Sequence, residues 1–330
     1  MKKKNVLLSF CMMIIASLFL AACGESSGGD GDTKANGGEE PEFLSILTGG
    51  TSGTYFPLGG EIAKIISDET GIQTDSVASN ASADNVVDLQ EGEAEIAFSQ
   101  TDVMAYAVEG IHAFDGNPVD NVLAIGSLYP ETIQIVTTSD SGIDSVEDLE
   151  GKTVSVGAPG SGTYVNAEQI LEVHDMTMDD IDAQNLDFGE STGGIQDGNI
   201  DAAFITAGTP TGAVEGLTAT TDIDIVPVEQ EKVDELIEKY PYYASDMIEE
   251  GTYGLEKDVP TVAVLAMLAV TEELSEDTVY DITSAIYENA DQMSHAKAEF
   301  ITLENALDGI GIDLHPGAEK YFKEKGVEQE

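Results

Sequence analysis

The sequence predicts an α/β protein built as two similar lobes with a ligand cleft between them, and three observations carry that prediction. The tetrapeptide Ser-Gly-Thr-Tyr occurs twice, as Ser52-Gly53-Thr54-Tyr55 and as Ser161-Gly162-Thr163-Tyr164, each time between an apolar strand-like run and a helix-like run. A second echo follows at nearly the same offset, where Leu89-Gln90-Glu91-Gly92 with Glu95 and Phe98 is matched by Ile195-Gln196-Asp197-Gly198 with Asp201 and Phe204. The echoes keep their order within each half, which one accidental match would not produce, and two copies are too few for a solenoid. Finally, 330 residues exceed one average domain, and a hydrophobic content of 42% is ordinary for a globular chain.

From the N-terminus, Met1-Lys2-Lys3-Lys4 is a basic leader and Val6 to Ala22 an apolar run, the pattern of a secretory signal. The run is shorter than the ~20 apolar residues of a spanning helix. It ends in Leu20-Ala21-Ala22-Cys23, which resembles a bacterial lipobox, so residues 1–22 are expected to be removed and Cys23 to carry lipid on the outer face of the cell membrane. Cys11 would leave with the signal, so no disulfide or thiol chemistry is expected. Residues 23–41, rich in Gly, Ser, Asp and Glu, have the composition of a flexible tether.

The first repeat starts with a strand at Phe43-Leu44-Ser45-Ile46-Leu47, and Pro57 opens a helix through Ile62, Ile65 and Ile66. The second starts at Thr153-Val154-Ser155-Val156 and runs into Val165, Ala167, Ile170 and Leu171. Each glycine-rich turn thus brings a helix N-terminus to the end of a strand, with hydroxyls and unpaired N–H groups that favour anions. A third such turn, Thr206-Ala207-Gly208-Thr209-Pro210, follows a strand over Ala202 to Ile205 and leads to a helix with Pro210 at its start. Taken singly, each turn has a purely structural reading. Three of them in two related lobes make a polar cleft, to which Asn80, Gln100 and Asp102 at neighbouring strand ends add amide and carboxylate groups. Asp102 also suits a helix cap.

Charge excludes some partners. There are 63 acidic against 13 basic residues, all 13 of them lysine, and loss of the signal moves the formal charge from −50 to −53. The acid is spread over helix faces and loops, as at Glu147-Asp148, Asp179-Asp180 and Glu249-Glu250, a surface suited to concentrated salt. Nucleic acid is excluded, because neutralising phosphates needs a basic face. A calcium store is the alternative use of so many carboxylates, but no D-x-[DN]-x-[DN]-G loop is present and Asp180-Ile181-Asp182 lacks the rest. His112, His174, His295 and His315 have no second ligand at zinc spacing, so no metal or cofactor is expected. Catalytic signatures are absent but for Ser294-His295-Ala296-Lys297, an S-x-x-K match without its companion S-D-N or K-T-G.

The stretch Thr48-Gly49-Gly50-Thr51-Ser52-Gly53-Thr54-Tyr55-Phe56-Pro57-Leu58-Gly59-Gly60 resembles the opening signature of TAXI-family solute receptors, which serve TRAP transporters. Gly92 through Gln100 to Val103, Leu128-Tyr129-Pro130-Glu131, and Gly151-Lys152 with Gly157 to Thr163 agree with it, in order. The resemblance implies a two-lobed periplasmic-binding-protein fold, type II-like, that closes on a small organic acid, a dicarboxylate or a glutamate-like amino acid, and hands it to a TRAP-type permease. Related receptors grip the ligand carboxylate with arginine; here hydroxyls and helix N-termini must serve, with Lys64, Lys152 and Lys257 as the possible cations.

Gly50, Ser52, Gly53, Thr54, Tyr55, Asn80, Gln100, Tyr129, Ser161, Gly162, Thr163 and Thr209 are the expected ligand-binding residues, with packing as the other reading for Tyr55 and Tyr164. Residues 42–131 and 258–330 are expected to form the first lobe and 132–257 the second, with Gln134-Ile135-Val136 and Val262-Ala263-Val264-Leu265 as the crossing strands. The C-terminal part from Ser275, with Val279, Ile282, Ile286, Phe300, Leu303 and Leu307, reads as helix wrapped on the first lobe. An ABC importer or a sensor kinase in place of the TRAP permease, a serine hydrolase using Ser294 and Lys297, and a surface adhesin remain as alternatives.

Overall fold

A computed structural model describes residues 41–328; the signal, Cys23 and the tether through residue 40 lie outside the described residues. Two successions of parallel strands and helices repeat one plan. In the first, β1 (Phe43–Leu47), α1 (Tyr55–Thr70), β2 (Gln73–Val77), α2 (Ser82–Glu91), β3 (Ile96–Gln100) and α3 (Thr101–Glu109) place β2-β1-β3 side by side in parallel. The long β4 (Val122–Thr138) follows. In the second, β5 (Thr153–Ser155), α4 (Gly162–Val173), β6 (Asp182–Gln184), α5 (Phe188–Gln196), β7 (Ala202–Ala207) and α6 (Gly212–Thr218) place β6-β5-β7 in the same parallel order. Next come β8 (Ile223–Val226), α7 (Gln230–Lys239), β9 (Ala244–Ile248), the long β10 (Val259–Thr271), α8 (Glu276–Glu288) and α9 (Pro316–Lys325).

The two long strands join the successions into one sheet, ordered β2-β1-β3-β10-β4-β7-β5-β6, with β8 on β4 and β9 on β10. Val122 to Thr132 of β4 pairs antiparallel with Ala263 to Thr271 of β10. Beyond that point the ladder divides: Thr132 to Thr137 pairs with β7, and Val259 to Ala263 pairs with β9. The segments expected to cross, Gln134 to Val136 and Val262 to Leu265, sit at this division.

Strand alternation sends side chains to both faces, so each half has two apolar layers. Leu44, Ile46 and Phe98 pack with Leu58 and Ile62 of α1, Ile282 and Ile286 of α8, and Tyr321 and Phe322 of α9. On the opposite face Leu47 and Ala97 meet Val86, Leu89 and Met104. In the second half Ile135, Val154 and Phe204 pack with Ile170 and Leu236, while Val136, Ala203 and Ile205 pack with Ile195, Val214 and Leu217. Fully burying each such large side chain contributes roughly 1.5–3 kcal/mol. Helix ends follow local chemistry: Gly71, Gly92, Gly110 and Gly326 stop α1, α2, α3 and α9 in the left-handed conformation, where glycine has no Cβ to clash.

Three local expectations differ from the structure. Helix α1 begins at Tyr55, so Pro57 stands in its first turn and does not open it. Helix α6 begins at Gly212 after Thr211, two residues past Pro210, whose bond to Thr209 is cis. In the C-terminal part only α8 and α9 are α-helical; Phe300 ends a 3-10 turn and Leu303 and Leu307 lie in turns. Those three pack on the same core as α8 without helix, because apolar spacing records which side faces the core and not how the backbone gets there. Asn305 competes for the local backbone, donating from its side chain to the Phe300 carbonyl while its N–H donates to the Thr302 hydroxyl oxygen.

Candidate functional site

The first two glycine-rich turns and the end of β7 meet at one cavity of about 110 Å³. Its lining brings together the N-terminal ends of four helices: Thr54 and Tyr55 of α1, Ala81 and Ser82 of α2, Ser161 to Thr163 of α4, and Asp187 and Phe188 of α5. Gln100, the residue before α3, adds a fifth. The first N–H groups of a helix have no acceptor within it. Here α5 meets the need itself, through the Asp187 carboxylate accepting from the Glu190 N–H. Helix α2 meets it across the cavity, since the Ala83 and Asp84 N–H groups donate to the Gly160 carbonyl at 3.0 and 3.3 Å. Helix α4 has the Ser161 hydroxyl accepting from the Tyr164 N–H, and α1 has no side-chain cap. The leading amides of α1 and α4 are therefore the donors this cavity offers a ligand.

The two halves touch closely around it. Thr54 Oγ1 donates to the Gly208 carbonyl at 3.4 Å, and the Ala213 N–H donates to the Ser52 carbonyl at 3.1 Å. Gly162 lies so near the Gln100 amide that a Cβ there would stand 1.9 Å from Oε1. At Gly160, whose φ is +74°, a Cβ would stand 2.1 Å from an Asp84 oxygen. Both approaches need glycine, the second for its conformation also.

One wall carries a residue that was not among the expected ligand-binding residues. Glu131 is 2% exposed and lines the cavity, its carboxylate accepting from the Tyr55 hydroxyl at 2.9 Å and the Tyr129 hydroxyl at 3.4 Å. Burial raises its pKa to about 8, against the hydrogen bonds from Tyr55, Gln100 and Tyr129, and the nearby Asp102 charge pushes the same way as burial. The Tyr55 ring packs on Phe98 with centroids 4.7 Å apart, so Tyr55 serves both the core and the site. The sequence signal for Glu131 was present in Leu128-Tyr129-Pro130-Glu131, but nothing local shows that a residue inside a long strand ends against a cavity.

Of the expected ligand residues, Gly50, Gly53, Thr54, Tyr55, Asn80, Gln100, Ser161, Gly162 and Thr163 all line this cavity. Tyr129 stands behind the wall and reaches it through Glu131. Ser52 faces a separate outer groove with Pro210, Gly189 and His295. Thr209 lines neither space; Thr206 and Ala207, earlier in the same turn, take its place, because β7 extends through Ala207. Gly49, Ser79, Ala158, Asp187 and Phe188 line it too; Ser79 comes from a loop and Asp187 and Phe188 from the start of α5, none of which the expected site included.

No lysine lines the cavity among the described residues. Lys64 pairs with Asp68 on an exposed helix face. Behind the cavity, Asp102 is fully buried and accepts from the Asn166 amide at 3.1 Å, which also donates to the Tyr243 hydroxyl. Desolvation raises the Asp102 pKa to about 6 against these bonds. Ser294 donates to Glu61, and the Lys297 ammonium sits 4.9 Å from the centre of the Phe300 ring. No cluster of three or more metal-ligating side chains occurs among the described residues.

A repeated parallel-strand plan, two shared long strands and a cavity at the helix N-termini between the repeats define an α/β protein of the periplasmic-binding-protein fold. Residues 46–326 match the NMT1-like family, and the chain belongs to it. Among solved structures it is similar to a Bordetella bronchiseptica RB50 protein, 18% identical with a TM-score of 0.54, the match covering 87% of this chain and 81% of that one. It is also similar to PhnD1 from Prochlorococcus marinus (MIT 9301), solved with methylphosphonate, at 10% identity and a TM-score of 0.52, covering 87% of this chain and 97% of that one. The periplasmic aliphatic sulphonate binding protein SsuA from Escherichia coli matches at 13% identity and a TM-score of 0.43, over 86% of this chain and 84% of its own. The first two likenesses, at identities this low, speak for the fold alone, and the third carries no argument.

Proposed function

We propose that this chain is an extracytoplasmic solute receptor, anchored through lipid on Cys23, that captures a small organic acid between two lobes and delivers it to a TRAP-type membrane transporter. The observation that carries the reading is the cavity itself: it is enclosed by both repeats and lined by hydroxyls and helix N-termini. Such donors bind an acid group through short charge-assisted bonds without a formal cation. In this reading the lobes are residues 42–131 with 258–330 and residues 132–257, a division supported by the splitting of the β4–β10 ladder near Thr132 and Ala263. Ligand contacts from both sides favour the closed arrangement, which is the form the transporter recognises. The TRAP partner rests on the TAXI-like motifs, and the Cys23 anchor on the lipobox-like leader.

The test is thermal unfolding of the purified full-length chain in molar salt against a panel of dicarboxylates, keto acids and amino acids. A ligand at about 100 times its dissociation constant stabilises the folded form by roughly 2.7 kcal/mol, a rise of several degrees for a chain this size. Absence of any shift across the panel overturns the receptor reading.

A further inference from the structure

Asp102 and Asn166 form a contact that neither the cavity nor its ligand explains. Asp102 stands in the first turn of α3, in the first succession, and Asn166 in the second turn of α4, in the second, and both are fully buried. The Asn166 amide donates to Asp102 Oδ2 at 3.1 Å and to the Tyr243 hydroxyl at 2.8 Å. That hydroxyl donates to Gln169 Oε1 at 2.6 Å, and the Gln169 amide donates to the Tyr106 hydroxyl at 3.0 Å, back on α3. Val165 of α4 packs in the same apolar layer as Val86 and Met104 of the first succession. Two oxygens of the network are left over: Asp102 Oδ1 and Asn166 Oδ1 are buried without a hydrogen-bond partner. Both are acceptors, so neither satisfies the other while Asp102 is ionised. The groups that face Asp102 supply no cation: Tyr55 of α1, Glu131 of β4, Tyr106 on its own helix, and Tyr242 and Tyr243 ahead of β9. Beyond Tyr106 lies His112, with ring centroids 4.3 Å apart, and beyond Tyr243 lies Tyr240 with its partners Glu172 and Lys239. The Asn166 amide and the N–H groups of Asp102 and Val103 favour the ionised carboxylate, but burial outweighs them and raises the Asp102 pKa to about 6.

We propose that Asp102 and Asn166 form an acid-sensitive latch between the two lobes, in which a proton on Asp102, donated to Asn166 Oδ1, holds the lobes closed and its loss lets them part. This takes the two moving lobes from the receptor reading above and adds a control on them that needs no ligand. The proton turns a carboxylate that can only accept into a donor, in contact with an amide whose oxygen is unpaired. When the lobes part, Asp102 returns to water and to an ordinary carboxyl pKa, so the closed form holds the proton more tightly. Closure is therefore strongest at about pH 4 and below, and weakens as pH rises through about 6. Between pH 4 and 7 the groups facing Asp102 keep their protons, Glu131 because its pKa is raised to about 8 and the tyrosines because burial raises theirs above the usual value.

The test is amide hydrogen exchange of the full-length chain without ligand, in molar salt from pH 4 to 7, corrected for the intrinsic pH dependence of exchange. The Ala83 and Asp84 N–H groups report closure, because their acceptor is the Gly160 carbonyl across the cavity and the first turn of α2 offers them none. Ile66, inside α1, reports the first lobe alone. Protection of the α2 pair relative to Ile66 is expected to fall on the order of 50-fold from pH 4 to 7. Asp102→Asn, whose amide gives Asn166 Oδ1 a donor at any pH, should keep the pH 4 protection throughout; if that variant does not fold, the wild-type profile decides. A flat wild-type profile, protection that rises with pH, or a pH dependence that survives in Asp102→Asn and so belongs to His112 or another group, overturns the latch. The receptor reading is decided separately, by the ligand panel.

Discussion

Replacing Gly162 with alanine tests whether the cavity closes as described. The added Cβ would stand 1.9 Å from Gln100 Oε1 and 2.4 Å from its Cδ, about 1.5 Å inside ordinary contact. Gln100 is held in place, its amide bonded to the buried Glu131, and Gly162 is the first residue of α4. Its φ lies outside the left-handed region, so alanine adds no backbone strain and the helix itself should form as before. The clash is relieved either by pulling Gln100 off Glu131 or by holding the two sides of the cavity apart. Overpacking of this kind costs about 1–3 kcal/mol, which raises the dissociation constant roughly 5- to 150-fold. Calorimetric titration with any ligand the wild type binds reads this, with Gly193→Ala as control, because nothing lies within 4 Å of a Cβ there. A Gly162→Ala variant that binds as tightly as the wild type would show that Gln100 and Gly162 do not meet in the bound state.

Three further outcomes are expected. Gly126→Ala should lower the melting temperature by several degrees, since a Cβ there would meet the Tyr287 hydroxyl at 2.3 Å and break its bond to the Ser127 carbonyl; an unchanged melt would refute that packing. Asp102 has its folded pKa raised from 3.8 to about 6, so the folded state holds its proton more tightly and stability is lost as pH rises from about 4 to 6, by up to about 3 kcal/mol. Asp102→Asn should flatten that part of the stability curve relative to wild type, and identical slopes in denaturant titrations at pH 4, 5 and 6 would count against the burial. With a formal charge of −50, the melting temperature should climb between ~0.1 and ~1 M NaCl as the Debye length falls from about 10 to 3 Å, whereas a flat response would mean that self-repulsion is not a large term.

Much of the site was legible because it is built from repeated local chemistry. A strand, a glycine-rich turn and an amphipathic helix are set by residues a few positions apart, so β1, the strand–turn–helix order of both repeats, and the strands at Gln134 and Val262 were legible in the sequence. Legibility failed where the backbone and the pattern part company. Leu303 and Leu307 keep helical spacing over turns, and Thr209 lies two residues beyond a strand that still runs at Ala207.

The sequence by itself determined that the chain is α/β, internally repeated, rich in acid and free of arginine, because each is a property of residue type and short-range order. Only the tertiary structure decided that Glu131, from the middle of a long strand, meets Tyr55 across 76 positions of chain, and that Gln100 lies against Gly162. The physical reason is that a carboxyl group's meaning depends on what surrounds it. On the surface Glu131 would be one more solvated charge among 63; buried in the cavity wall, it accepts from two tyrosine hydroxyls and has its pKa raised to about 8.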